Sequence, residues 1–126
     1  MLVAQVESIK MGDVRDFSNF MGAVIDEGAF NDHREAIDAA KASNDAKIVA
    51  GGTYDSSVGW FVRPTLYTDV PLNSRLWTEE IFGPVLCSHR FSSEDQAVAL
   101  ANDSRFGLVA TVISADLERA ERVAQA

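Results

Sequence analysis

The sequence predicts an α/β fold, a mostly parallel open sheet flanked by helices, and three observations carry that expectation. Strand, helix, strand and helix signals alternate through the second half, the order expected of right-handed crossovers. Residues 108–113, LVATVI, form a near-continuous apolar run, the pattern of a strand covered on both faces. Residues 85–91 alternate in period two, with Val85, Cys87, His89 and Phe91 on one face and Leu86, Ser88 and Arg90 on the other.

Taken in order, Leu2, Val6 and Ile9 fall at helical spacing and predict a short, uncapped amphipathic helix from the first residue. A loop follows over 12–18, then the mostly apolar NFMGAVID, which suits a buried connection. Phe30, Ile37 and Ala40 make one stripe of a second helix, with Asp32, Glu35 and Asp38 on its wetter side and a stop at Ser43-Asn44-Asp45. Residues 47–50 predict a short strand ended by Gly51-Gly52. Residues 60–67 predict another, placed at an edge or bulge because Pro64 cannot donate to the ladder. Ser93 and Gln96 form a capping box for a helix that buries Ala97, Val98, Leu100 and Ala101. Leu117, Ala120 and Val123 mark a final helix.

Composition narrows the function classes. A chain of 126 residues has the size of one compact domain, burying about two-thirds of its unfolded surface. Hydrophobic and charged shares of 47% and 24% are ordinary globular values, which excludes a disordered chain. A net charge of -8 would repel a phosphate backbone, so nucleic acid is a poor partner. No apolar run approaches the roughly 18 residues of a bilayer span, and MLVAQVESIK does not resemble a secretory segment. Cys87 stands alone, so the chain has neither an intrachain disulfide nor a multi-cysteine zinc pattern, and it suits a reducing compartment. The expected location is the cytoplasm, with the mitochondrial matrix as the alternative.

The residues that could carry chemistry lie in 79–85, EEIFGPV. A carboxylate there can accept both hydrogens of a ribose diol. Phe82 projects to the same side as Glu80 in an extended backbone and could pack against a sugar or flat ring. Gly83 permits close backbone approach, and Pro84 fixes the corner. From spacing alone, a solvated acidic pair leading into a strand with a buried Phe is the favoured reading. Cys87 reads as a small buried hydrophobe rather than a nucleophile. His89, two residues on, lacks the third group that a catalytic dyad needs. His33, between Asp32 and Arg34, reads as a surface residue, with no second His or Cys at i+4 to make a metal pair. Asp13 and Asp16 flank Arg15 and most simply neutralise or cap one another. Asn102 and Asp103 read as helix-end chemistry.

The order of motifs resembles the C-terminal catalytic domain of the aldehyde dehydrogenase superfamily. It runs GWFVRPT over 59–65, EEIFGPV over 79–85, ANDS over 101–104, FGL over 106–108 and VATVISADLERAERVAQA to the end. Residues 11–26, MGDVRDFSNFMGAVID, are similar to the subfamily that oxidises glutamate γ-semialdehyde, the 1-pyrroline-5-carboxylate dehydrogenases of proline catabolism. The resemblance implies that Glu80 binds the nicotinamide ribose hydroxyls of NAD or NADP and that Phe82 lies by the nicotinamide. It also implies a small-molecule aldehyde substrate and a homo-oligomeric full-length enzyme. In that family an aldehyde is oxidised through a cysteine thiohemiacetal, and the resulting thioester is hydrolysed with help from a glutamate base.

The family's nucleophile, glutamate base, oxyanion asparagine and cofactor domain match no position here, so no residue of this chain is assigned a catalytic role. The expectation is one partial domain over 1–126, a segment of a longer polypeptide that does not turn over aldehyde alone. A non-catalytic binding or assembly module that keeps the fold is the competing reading.

Overall fold

A computed structural model describes residues 1–43 and 46–126 and divides the chain into two compact units, Met1–His89 and Arg90–Ala126. In the first unit, α1 (Leu2–Glu7) begins without a side-chain cap, as its sequence implies. Its end is closed from a distance: the Arg63 guanidinium donates to the carbonyls of Glu7 at 3.2 Å and Ile9 at 2.9 Å. The Glu7 carbonyl is one that a short helix otherwise leaves unpaired, and that of Ile9 lies just beyond the helix end.

Helix α2 (Glu27–Ala42) starts at Asp26, whose carboxylate accepts from the Ala29 amide at 2.8 Å. Glu27 in the first turn and Lys41 in the last both suit the helix dipole. The expected stripe Phe30, Ile37 and Ala40 is buried, joined by Ala36 and His33, while Asp32, Glu35 and Asp38 stay exposed. Ser43 is the C-cap; the rest of the expected stop, Asn44 and Asp45, lies outside the described residues.

The sheet is mixed rather than mostly parallel. Strand β4 (Thr65–Thr68) is central, antiparallel to β1 (Lys47–Ala50) and parallel to β5 (Val85–Cys87). Residues 60–67 do not make one strand. They split at Pro64 into β3 (Phe61–Val62), which pairs with β2 (Tyr54–Asp55), and β4. The proline therefore sits between two ladders, and this is why β4 can be central although a strand containing proline was expected at an edge or a bulge.

At the end of β1 the chain turns tightly against the same segment. Gly51 has φ +72°, and a Cβ there would lie 2.0 Å from the Pro64 carbonyl oxygen. The buried Thr65 hydroxyl accepts from the Gly52 amide at 3.0 Å and donates to the Arg63 carbonyl at 2.8 Å. The core gathers Phe30, Ile37 and Ala40 of α2 with Val62, Tyr67 and Val70. The Phe30 ring meets Tyr54 edge-on at 5.7 Å and Trp60 at 5.5 Å. A short helix that the sequence pattern did not signal, α3 (Arg75–Thr78), is capped by Ser74.

In the second unit, α4 (Glu94–Asn102) is capped as expected by the Ser93 hydroxyl, which accepts from the Gln96 amide at 3.2 Å. The reciprocal bond is displaced by one residue: the Gln96 side chain accepts from the amide and hydroxyl of Ser92. Ala97, Val98 and Leu100 are half-buried, but Ala101 is exposed. Helix α5 (Leu117–Ala124) is capped by Asp116 and tied to α4 by Arg119 and Arg122, which both bond Glu94. The Arg119 guanidinium, followed by that of Arg122, holds the Glu94 carboxyl below its usual range.

The expected strand over 108–113 is not formed, and Leu108 is 99% exposed. An apolar run signals a tendency to be covered but supplies no pairing partner, and no other strand lies within the second unit.

The location of the core yields a direct comparison. Ile37→Ala should cost about 2–5 kcal/mol in urea unfolding of the chain, whereas Leu108→Ala should stay within about 0.5 kcal/mol. A larger loss at Leu108 than at Ile37 would put the core elsewhere.

Candidate functional site

Residues 79–85 connect α3 to β5, and the fold separates the two adjacent glutamates. Glu79 is the C-cap of α3, and its carboxylate takes the Arg75 Nε at 2.5 Å, one helical turn back. An exposed pair of this kind adds little stability, but it does occupy Glu79. That pairing also raises the pKa of Arg75. Among the described residues Glu80 has no hydrogen-bond or ion-pair partner, and it is exposed. Phe82 is 81% exposed.

The backbone beneath those side chains is fixed at two points. The Pro84 carbonyl accepts from the Thr65 amide at 2.9 Å, which ties the corner to β4. One residue earlier, His33 Nε2 lies 3.2 Å from the Phe82 carbonyl oxygen. A carbonyl only accepts, so Nε2 carries a proton in this contact. The ring also rests on Gly83, whose φ is +155° and where a Cβ would lie 2.1 Å from Nε2. The loop therefore has a held backbone and two free, outward side chains, a carboxylate acceptor and an aromatic face. Such a pair can accept hydroxyl hydrogens and flank a flat ring.

His33 is not the surface residue that its charged neighbours suggested; it is 0% exposed. The missed signal was its spacing, three residues after Phe30 and four before Ile37, on the buried stripe. Burial pushes its pKa down, against the opposing pull of the Phe82 carbonyl and the Asp32 charge. Among the described residues its Nδ1 is buried without a partner, so a second ring proton would find no acceptor.

Cys87 is half-buried, with its thiol 3.2 Å from the Leu76 carbonyl, and burial pushes its pKa up. A thiol held protonated suits a packing role. His89 lies edge-on to Trp77 at 5.8 Å, so neither residue has the neighbours of a catalytic dyad. Asp13 pairs with Arg15, and Asp16 instead accepts from the Ser18 amide. Asp103 caps α4. Among the described residues no group of three His, Cys, Asp or Glu side chains could hold a metal ion.

The aldehyde dehydrogenase family profile matches residues 1–126. The chain belongs to the aldehyde dehydrogenase family. Over 127 residues it is 44% identical to peroxisomal aminoaldehyde dehydrogenase 2 of Malus domestica, covering 99% of this chain and 25% of that protein. The chloroplastic betaine aldehyde dehydrogenase of Beta vulgaris is 41% identical over 126 residues, 98% of this chain and 25% of its own length. Betaine aldehyde dehydrogenase from Staphylococcus aureus, solved in complex with NAD+, superposes with a TM-score of 0.90 at 38% identity, over 98% of this chain and 25% of that one. The chain thus spans about a quarter of the length of these relatives.

The buried imidazole sets a pH dependence. The folded state holds His33 below its ordinary value of 6.5, so on acidification the unfolded chain takes up the proton first. The stability that depends on a neutral His33 is present above about pH 6.5 and is lost as pH falls below it. By calorimetry, Tm should be lower at about pH 5.5 than at about 7.5, and His33→Gln should remove part of that difference. An identical pH slope in the variant would contradict this origin.

Proposed function

We propose that this chain is the nicotinamide-facing part of an NAD-dependent aldehyde dehydrogenase, in which Glu80 accepts the ribose hydroxyls and Phe82 flanks the nicotinamide. The observation that carries the reading is the division of labour between the glutamates. Glu79 is spent on Arg75, while Glu80 stands unpaired on a backbone that is held from below. The residues fit the coenzyme, because a free carboxylate can take a diol bidentately and an exposed ring offers a face to a flat heterocycle. Bound there, the coenzyme would supply the hydride acceptor for aldehyde oxidation. The part played by this chain is to bind and orient: Glu80 fixes the sugar, Phe82 limits tilt of the ring, and Gly83 and Pro84 keep both at one height.

The Staphylococcus aureus relative is solved in complex with NAD+, which supports NAD as the coenzyme. The finer substrate reading shifts. The similarity of residues 11–26 pointed to glutamate γ-semialdehyde and proline catabolism, but the relatives matched over nearly the whole chain are named for amino and betaine aldehydes. We therefore favour an aldehyde bearing an amino or quaternary ammonium group. Those relatives carry peroxisomal and chloroplastic names, which lend no support to a cytoplasmic or mitochondrial location. No helix among the described residues is long and apolar enough to cross a membrane.

In a complete dehydrogenase carrying this segment, Glu80→Gln should lower kcat/KM for NAD by about 10- to 100-fold, the worth of a hydrogen-bonded charge. Glu79→Gln should change it by less than about threefold, as befits an exposed ion pair. Equal effects at the two positions would remove Glu80 from the site. Rates with betaine aldehyde, an ω-aminoaldehyde and glutamate γ-semialdehyde then decide the substrate; a preference for the last would restore the reading drawn from residues 11–26.

A further inference from the structure

We propose that His33 is a positioning residue, a latch from α2 that holds the Phe82-Gly83 peptide so that Glu80 and Phe82 present together to the coenzyme. The inference rests on the reading of Glu80 and Phe82 given above. It stands on two contacts made by one ring with adjacent residues far away in sequence: the bond from Nε2 to the Phe82 carbonyl at 3.2 Å, and the seat of the ring on Gly83. At Gly83 a Cβ would lie 2.1 Å from Nε2, 2.8 Å from Cε1 and 3.2 Å from Cδ2. The imidazole thus fills the space that any other residue's side chain would take, at a φ of +155° that glycine alone adopts readily.

The latch is rigid because its base is. His33 lies on the same buried stripe as Phe30 and Ile37, which belong to the central core cluster. With the Thr65 amide bonded to the Pro84 carbonyl, three consecutive loop residues are held from two elements, α2 and β4. Among the described residues, Phe82 and Glu80 make no other polar bond that could fix the first half of the loop. Without His33 the stretch between Glu79, held by Arg75, and Pro84, held by Thr65, would rest on its two ends.

The test begins with the 126-residue chain alone, in the absence of coenzyme. Imidazole ¹⁵N shifts should show the Nε2–H tautomer at His33, with backbone ¹⁵N relaxation at Phe82 and Gly83 as ordered as in β4. His33→Met, which fills similar volume without a donor, should loosen Phe82 and Gly83 while Phe30 and Ile37 stay ordered. His33→Gln, which restores a donor, should recover part of the order. An Nδ1–H tautomer, or full order at Phe82 and Gly83 in His33→Met, overturns the latch. Should the Met variant fail to fold, the wild-type tautomer and the Gln variant decide.

In a complete dehydrogenase carrying this segment, His33→Met should raise KM for NAD on the order of tenfold, the worth of one lost hydrogen bond, and leave KM for the aldehyde unchanged. A merely structural role would lower kcat through lost active enzyme without moving KM. An unchanged KM for NAD in His33→Met beside an impaired Glu80→Gln overturns the latch alone, whereas no effect in either variant overturns the coenzyme reading beneath it.

Discussion

Burial of one face of α2 against β3 and β4 is the constraint on which the rest of the first unit depends. Phe30, Ile37 and Ala40 meet Val62, Tyr67 and Val70, and that packing fixes the height and rotation of the helix. Because His33 shares the stripe, the same packing delivers an imidazole to the underside of the loop over 79–85. None of the fully buried core residues lies in the loop, and Val85 at its end is the loop's one hydrophobic packed against the core cluster. Its geometry is borrowed from the helix on one side and from β4 on the other.

A borrowed anchor explains how a loop can be both exposed and defined. Side chains that meet a ligand must be free of competing partners, yet a floating loop would lose much binding free energy to ordering. Here the restraint acts on the backbone, through the Phe82 and Pro84 carbonyls, and leaves the Glu80 carboxylate and Phe82 ring unengaged. The Arg75 pair adds a second form of selection by engaging Glu79, so only one of two identical neighbouring side chains faces solvent uncommitted.

Local signals were legible in the sequence wherever a single element determined the outcome. The stripe of α2, the Lys47–Ala50 strand and the Ser93 cap all depend on nearest neighbours, and all appear as read. What failed depended on partners. Residues 108–113 have the composition of a buried strand, but a ladder needs a second strand, which no sequence window contains. Pro64 was read as marking an edge or a bulge, whereas it separates two short ladders. His33 looked solvated because Asp32 and Arg34 flank it, although helical geometry turns those neighbours about 100° away, as a repeat of 3.6 residues per turn requires. The glutamate pair was visible, but the distinction between its members came from Arg75, on a helix that the pattern did not announce.

The most direct test is a crystal structure of a complete dehydrogenase carrying this segment with NAD bound. The account predicts both Glu80 carboxylate oxygens within about 3.2 Å of the nicotinamide ribose hydroxyls, with the Phe82 ring beside the nicotinamide and Glu79 still on Arg75. A ribose held by Glu79, or a Glu80 directed away from the coenzyme, would contradict it.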